Sequence, residues 1–127
     1  MIVLDTSSLM ALLLEEPEGD QIAEVLSGDE AFVISAGTLS EALIVAKRRG
    51  VGDEMAELLD AIGAEVEVLD AAKAVATADA YAKWGKGAHP AGLNFGDCFA
   101  YGSAKANNLP LLYIGDDFAK TDVLSAL

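Results

Sequence analysis

The sequence predicts an α/β domain built around a mostly parallel sheet. Short β-rich apolar runs alternate with longer stretches of helical periodicity, which is typical of parallel strands joined by helical crossovers. The three prolines are scattered, and no long stretch has the composition of a disordered tail. Because 127 residues is a usual size for one domain, we expect residues 1–127 to fold as a single unit.

The first apolar run, Met1–Leu4, predicts a buried strand. Three hydroxyl side chains follow Asp5 and offer N-caps to a first helix: Thr6, Ser7 and Ser8. That helix would carry Leu9, Leu12 and Leu13. A second helix is predicted near Gly19–Leu26, where Ile22, Val25 and Leu26 recur with helical spacing.

The next strand is predicted at Ala31–Ile34. Residues Ser35–Thr38 are predicted to form a turn with capping residues, followed by a helix to Arg49 that Gly50 closes. Asp53–Ile62 is predicted as a further helix.

The third predicted strand, Ala64–Leu69, differs from the first two because Glu65 and Glu67 make it alternate in polarity. Such alternation favours an exposed position near a sheet edge. A long alanine-rich helix is predicted to follow at Ala71–Trp84.

The segment Gly85–Gly92 is predicted to be a loop, because glycine and proline interrupt it every few residues. Asn94 would then cap a helix that ends near Asn107. Leu109–Ile114 is the fourth predicted strand, and it leads into Asp116. Two aspartates, Asp5 and Asp116, therefore follow buried strands.

The formal charge of −13, with eight basic residues, argues against a protein that binds nucleic acid mainly through phosphate contacts. Two interpretations stay open. The acidic residues could form a well-solvated surface that keeps the chain soluble, or some of them could converge on a cation.

The sequence also bears on cellular location. No apolar run approaches the roughly 20 residues that span a bilayer, and Met1–Asp5 lacks the basic start of a signal peptide. The lone cysteine, Cys98, cannot form an internal disulfide and is expected to be a small packing residue. We therefore expect a cytoplasmic protein that does not contact a membrane.

Several carboxylates are predicted to meet at one edge of the sheet. Ligands of parallel α/β sheets bind beyond the carboxyl ends of the strands, where Asp5, Asp116 and Asp117 fall. Asp97 lies in the first turn of the helix after the glycine-rich loop, which points to the same edge. Each has a structural alternative: Asp5 as a helix-dipole partner, Asp97 in a capping box with Asn94, and the aspartate pair in a tight turn.

Glu41 has no such alternative. It is the one charge in the middle of a predicted helix that is apolar nearly all round, with Leu39, Ala42 and Leu43 on one side and Ile44 and Val45 on the other. A buried carboxylate without a partner is too costly to persist, so Glu41 should shift its pKa, find a donor or approach a cation. A satisfied buried glutamate also remains open.

Oxygen-only ligands point to Mg²⁺ or Mn²⁺ rather than zinc, because the usual cysteine and histidine ligands are missing. Such an ion can neutralise charge on a phosphate and make a water nucleophilic. The pattern therefore predicts phosphodiester hydrolysis.

Four segments of the chain resemble, in order, motifs of the PIN-domain ribonucleases, specifically the VapC-type toxins of bacterial toxin–antitoxin pairs. They are the opening Met1–Ser7, the Ser35 to Glu41 segment, the stretch Gly87–Cys98 and the closing Leu-Leu-Tyr-Ile-Gly115-Asp116-Asp117-Phe118. The resemblance covers the whole chain. It implies a single PIN-like domain with a central sheet of four or five strands between helices, in three α/β/α layers.

The resemblance also implies the site residues. Asp5, Glu41, Asp97 and one of Asp116 and Asp117 would hold Mg²⁺ or Mn²⁺, and Thr6 and Asn94 would be neighbouring polar groups. The choice between the two adjacent aspartates stays open at this point.

Two basic clusters are candidates for contacting RNA: Lys47, Arg48 and Arg49 at the end of the Glu41 helix, and Lys83, Lys86 and His89 around the loop. Basic residues in a last helical turn also complement the helix dipole. With so little positive charge, RNA affinity should be modest and specificity should come from RNA shape. His89 is expected to be a loop residue rather than a general base.

The resemblance further implies a VapB-type antitoxin that inserts a basic segment into the acidic pocket, since arginine pairs bidentately with carboxylates. A homodimer is also expected. Leu12, Leu13 and Ile22 could serve the dimer or the antitoxin, or could simply pack in the core.

Two other classes compete with a nuclease. A phosphoacceptor signalling domain would need a carboxylate pair after the first strand and a late lysine, but residues 6 and 7 are Thr and Ser and Ile114-Gly115-Asp116 supplies no lysine. A catalytically inactive PIN-like module that binds RNA or protein is not excluded by sequence.

Overall fold

A four-stranded parallel sheet forms the centre of the computed structural model, which describes residues 1–127. The strands are β1 (Ile2–Leu4), β2 (Phe32–Ser35), β3 (Glu65–Glu67) and β4 (Leu111–Leu112). Their order across the sheet is β3-β2-β1-β4, and every neighbouring pair is parallel. All four carboxyl ends therefore lie at one edge, as the sequence predicted.

The sheet has one open edge and one covered edge. Val66 on β3 is 47% exposed, which confirms the predicted edge position of this strand. Beyond β4, the C-terminal residues run alongside: the Leu111 N–H donates to Leu124 O at 2.8 Å, and the Ala126 N–H donates to Leu111 O at 2.9 Å. The prediction of four or five strands is confirmed, with four regular strands.

Six α-helices and one 3₁₀ turn complete the fold. The helices are α1 (Thr6–Leu13), α2 (Gly19–Leu26), α3 (Ala36–Arg48), α4 (Gly52–Ile62), α5 (Ala71–Trp84) and α6 (Phe95–Asn107), and the 3₁₀ turn is Phe118–Lys120. Successive strand residues point to opposite faces of the sheet. Leu4 and Ile34 thus pack with residues of α1 to α4, while Val3 and Val33 pack with residues of α5 and α6. The predicted three layers are confirmed.

Two helix starts differ from the sequence-based predictions. The N-cap of α1 is Asp5, whose side chain accepts from the Ser7 N–H, and the predicted hydroxyl caps lie inside the helix. The predicted turn Ser35–Thr38 is wrong, because α3 begins at Ala36 with Ser35 as its N-cap. Ser35 is the last residue of β2, so strand passes into helix without a separate turn.

Three apolar residues named as docking candidates have different exposures. Ile22 is fully buried in the core, so the core-packing alternative holds for this residue and the docking alternative does not. Leu12 and Leu13 are partly buried and pack against the same core. Cys98 is fully buried, and burial raises the pKa of its thiol to about 11, which confirms a packing residue.

The predicted loop after α5 is confirmed, and its two ends are tied together. The Leu93 N–H donates to Trp84 O at 3.0 Å, and the Lys86 N–H donates to Leu93 O at 3.0 Å. Trp84 Nε1 also donates to the Tyr101 hydroxyl on α6 at 2.8 Å. These contacts fix the start of α6 relative to α5. None of the helices has the length and apolar character to cross a membrane.

Candidate active site

Asp5 lies where β1 passes into α1, and its carboxylate is almost completely buried. Oδ2 accepts two hydrogen bonds from Ser7, from the backbone N–H at 3.0 Å and from the hydroxyl at 2.6 Å. Oδ1 is buried and has no hydrogen-bond partner. The pKa of Asp5 is raised to about 7, mainly by burial and to a smaller extent by the charges of Asp97 and Glu41, while the hydrogen bonds from Ser7 lower it. A buried carboxylate oxygen that accepts no hydrogen bond is stabilised when the carboxyl group is protonated or when a cation binds to it.

Glu41 lies on α3 and is partly buried rather than enclosed by apolar side chains. The sequence-based expectation of a fully buried position is wrong, because Ile44 on the same helix is 57% exposed. The expectation that Glu41 finds a donor is confirmed: Thr6 Oγ1 donates to Oε1 at 2.6 Å. Glu41 Oε2 lies against Gly96 of α6, where a Cβ atom would be 1.8 Å from that oxygen.

Asp97 belongs to a capping box at the start of α6, the structural alternative considered for it. Its N–H donates to Asn94 Oδ1 at 2.8 Å, and its Oδ2 accepts from the Asn94 N–H at 2.9 Å. The capping box does not use Oδ1. Burial raises the pKa of Asp97 to about 6, and the charges of Glu41 and Asp117 raise it too. The capping role and a role at the site are therefore compatible.

The three carboxylates share one arrangement. Each of Asp5, Glu41 and Asp97 uses one oxygen on a neighbouring group that fixes its position, and each leaves the second oxygen without a hydrogen bond from the chain. The charges of Glu41 and Asp97 raise the pKa of Asp5, so the three carboxylates lie close enough to interact electrostatically. The sheet edge thus gathers several negative charges, which only Lys86 partly offsets at Asp97.

The aspartate pair lines a cavity of about 220 Å³, which we call the acidic cavity. Both Asp116 and Asp117 are exposed and line it together with Asp5 and Asp97. Only Asp117 of the two raises the pKa of Asp97. The structure therefore brings Asp117 into closer electrostatic contact with the predicted site than Asp116.

The donor chemistry of the acidic cavity fits a hard divalent cation. All candidate ligands are carboxylate oxygens, and the orphaned Oδ1 of Asp5 is an unmet acceptor. No group of three or more His, Cys, Asp or Glu side chains is close enough to hold an ion directly. The arrangement thus suits Mg²⁺ or Mn²⁺ with part of its water shell retained, and it does not suit zinc.

The basic candidates fall into two groups. Lys86 is exposed, and its charge lowers the pKa of Asp97, so it lies near the site. Arg48 lies seven residues beyond Glu41, about 10 Å along α3, in the last helical turn where a cation complements the dipole. His89 accepts from the Ala91 N–H at 3.0 Å through Nδ1, which confirms its expected place as a loop residue.

The sequence predicts Thr6 and Asn94 as polar groups beside the carboxylates, and the structure places both of them there. Thr6 is buried and bonded to Glu41, and Asn94 is bonded to Asp97. The sequence analysis did not identify Ser7 and Gly96 as residues of the site. Ser7 donates to Asp5 and accepts from the Ile114 N–H at 3.2 Å, joining the ends of β1 and β4. A serine two residues after a strand-end aspartate was the available signal.

Comparison with known proteins agrees with this geometry. The family model for the PIN domain matches residues 2–124 of the chain. Ribonuclease VapC30 of Mycobacterium tuberculosis is 39% identical over 125 residues, which cover 96% of this chain and 95% of that protein. The chain therefore belongs to the PIN-domain family and, within it, to the VapC group.

Solved structures show the same fold. The crystal structure of VapC20 from Mycobacterium tuberculosis, described as a sarcin-ricin-loop-cleaving toxin, covers 99% of this chain and 98% of its own with a TM-score of 0.80 at 15% identity. VapBC2 from Rickettsia felis, bound to a DNA fragment from its promoter, matches with a TM-score of 0.69 at 17% identity and covers 98% of this chain and 96% of that chain.

Proposed function

We propose that this chain is a metal-dependent endoribonuclease and acts as the toxin of a toxin–antitoxin pair in the cytoplasm. The observation that carries the proposal is the set of three fixed carboxylates, Asp5, Glu41 and Asp97, each with one oxygen left free at the same sheet edge. Membership of the VapC group, whose curated relatives are named ribonucleases, supports RNA as the substrate.

In this proposal Asp5, Asp97 and Asp117 would hold Mg²⁺ or Mn²⁺ partly through water molecules of its shell, because no three of these side chains are close enough to bind one ion directly. The ion supplies neutralisation of the scissile phosphate and a more acidic water at the reacting phosphorus. The residues of the chain fix the geometry: Ser7 holds the carboxylate of Asp5, Asn94 holds that of Asp97, and Thr6 holds that of Glu41. Glu41, partly exposed beside the cavity, accepts a proton from the attacking water through its free oxygen.

The test is RNA cleavage with Mn²⁺ or Mg²⁺ by the wild type, Asp5→Asn and Glu41→Gln. Glu57→Gln is the matched control, because Glu57 is an exposed glutamate on α4 outside the site. We expect both site variants to lose at least about 100-fold in rate, the scale of general base and electrostatic catalysis, and the control to match the wild type.

Equal activity in all four proteins would contradict the assignment. If no protein of the set cleaves RNA with either ion, the binding-module alternative is favoured. Chelation should abolish wild-type activity, and restored Mn²⁺ should recover it.

We further propose that a VapB-type antitoxin blocks the site with a basic segment. The acidic cavity carries four aspartates, and arginine pairs bidentately with carboxylates. That VapBC2 of Rickettsia felis was solved as a toxin with its partner supports a stable complex. A basic peptide that contains arginine should inhibit RNA cleavage, and the same peptide with its arginine changed to glutamine should not. Inhibition by both would rule out charge pairing.

A homodimer is proposed on the exposed apolar surface around the start of α5. Val68 and Val75 are 70% and 61% exposed, and an exposed apolar patch is typical of a protein interface. A Val68→Ser/Val75→Ser double variant should sediment as a monomer. The proposal fails if the wild type is already monomeric at the same concentration.

We also propose Lys86 and Arg48 as RNA contacts. Lys86 lies near Asp97, and Arg48 has no salt-bridge partner. Lys86→Gln and Arg48→Gln should each weaken RNA binding and reduce its salt dependence, because each phosphate contact releases counterions. An unchanged salt slope in both single variants would contradict this role.

A further inference from the structure

An apolar pocket of about 520 Å³ opens beside Glu41, between α3 and the first turn of α6. We call it the apolar pocket. Its wall includes Gly37, Ile44, Leu69, Phe95 and Phe99, and Glu41 closes one side. The volume falls in the range of pockets that bind small molecules, and the lining combines apolar groups with one carboxylate.

Two phenylalanines form a rigid aromatic surface in the apolar pocket. Phe95, the first residue of α6, is 67% exposed. Its ring meets the Phe99 ring edge to face, with centroids 4.8 Å apart at 63°. Gly37 leaves room for this pair, because a Cβ atom there would lie 2.4 Å from the Phe99 ring. The free face of Phe95 is thus held in place and open to solvent.

The apolar pocket is continuous with the carboxylates. Glu41 lines the pocket and faces Gly96, and Phe95 precedes Asp97 by two residues in the same helical turn. A nucleotide whose phosphate lies at Asp5 and Asp97 carries its base one ribose away. Because Glu41 lines the pocket and its charge also acts on Asp5 and Asp97, that base can enter the pocket from the Glu41 side.

The charge of the chain favours a base over a protein segment as the occupant. An apolar protein surface pressed into the pocket would bury the free oxygen of Glu41 without a partner, which is costly. A base can stack on Phe95 and leave Glu41 facing the phosphate. A chain with a charge of −13 also needs a source of RNA affinity other than phosphate contacts, and base stacking supplies one.

We propose that the apolar pocket is a nucleobase subsite in which Phe95 stacks on the base next to the scissile phosphate. The inference rests on the proposed ribonuclease function and favours single-stranded or looped RNA as its substrate, because a base in a duplex must first be unpaired and unstacked to reach the ring. Phe95 is then a binding residue of the substrate, not a carboxylate-positioning residue.

The test compares Phe95→Ala and Phe95→Trp with wild type, using Tyr81→Ala as the control because Tyr81 is an exposed aromatic outside the pocket. Cleavage of a single-stranded RNA with Mn²⁺ gives KM and kcat. Binding of the same labelled RNA in EDTA, measured by fluorescence anisotropy in an Asp5→Asn background, gives affinity without catalysis. A second RNA carries an abasic residue beside the cleaved bond.

We expect Phe95→Ala to raise KM and Kd about tenfold, the scale of one lost base stack, with kcat little changed. Phe95→Trp should restore binding, Tyr81→Ala should match wild type, and the abasic RNA should bind wild type and Phe95→Ala equally. Equal KM and Kd for Phe95→Ala and wild type on intact RNA would overturn the subsite.

Sedimentation gives a second way to overturn it. If Phe95→Ala converts a dimer into a monomer, the pocket belongs to an interface between copies. If the wild type cleaves no RNA, the ribonuclease proposal fails, but the anisotropy comparison still decides whether Phe95 binds a base.

Discussion

Thr6 and Glu41, 35 residues apart in the chain, are joined by a hydrogen bond of 2.6 Å between the Thr6 hydroxyl and Glu41 Oε1. The bond connects the first turn of α1 to α3, so the two crossovers that leave β1 and β2 are tied together at the sheet edge. It also fixes which oxygen of Glu41 is free. The position of the proposed proton acceptor therefore depends on a residue that never reaches the substrate.

Replacing Thr6 by valine removes the hydroxyl and keeps the β-branched shape. A hydrogen bond to a charged group contributes about 1.5–3 kcal/mol, so loss of this orientation should lower the cleavage rate about tenfold or more. Thr6→Ser keeps the donor and should retain most activity. The rate of RNA cleavage with Mn²⁺ is measured for both variants. A Thr6→Val enzyme as fast as wild type would show that the bond does not position Glu41.

Gly96→Ala should impair the site while leaving the fold intact. The new Cβ would lie 1.8 Å from Glu41 Oε2, which is the flexible end of a side chain, so Glu41 moves and its bond to Thr6 breaks. Helix propensity favours alanine over glycine by up to about 1 kcal/mol. Because the broken bond costs more than this gain, we expect a moderately lowered Tm for a chain that still folds, together with at least about a tenfold loss of activity.

Gly102→Ala is the control for this prediction. Gly102 lies on the same helix, and a Cβ there meets nothing within 4 Å. This variant should keep full activity. Equal activity of the two alanine variants would show that Glu41 does not need its present position.

Much of the site followed from strand ends and helix starts. Asp5 and Asp97 were predictable because the residue after a buried strand and the first turn of a helix are local features of the sequence. Glu41 was identified for partly wrong reasons: the exposure of Ile44 opens a helix face that looked buried. The role of Gly96 could not be predicted, because it depends on the distance between α3 and α6, which only packing determines.

Asp5 should make metal-free stability depend on pH. Its pKa rises from 3.8 to about 7 on folding because of burial, so the folded chain keeps a proton that the unfolded chain releases. Stability should therefore fall as pH rises from about 4 to about 7, by up to about 4 kcal/mol. Urea unfolding in EDTA across this range measures it, and Mg²⁺ should recover stability at the upper end.

Asp5→Asn should flatten most of this dependence. The remainder is expected from Asp97, whose pKa is raised to about 6. Glu57→Gln, an exposed carboxylate outside the site, should leave the pH dependence as in wild type. Parallel curves for wild type and Asp5→Asn would mean that the Asp5 carboxyl is not the group that titrates.

The adjacent aspartates give a matched pair of variants, because Asp116 and Asp117 are both exposed and both line the acidic cavity. The charge of Asp117 raises the pKa of Asp97 and that of Asp116 does not, so Asp117 lies in the field of the proposed ion. Asp117→Asn should weaken Mn²⁺ binding about tenfold, close to the loss of one charge interaction of about 1.4 kcal/mol. Asp116→Asn should change it little. Calorimetric titration of Mn²⁺ measures the affinity of both variants. A larger loss of affinity in Asp116→Asn would indicate that the ion lies nearer Asp116 than Asp97.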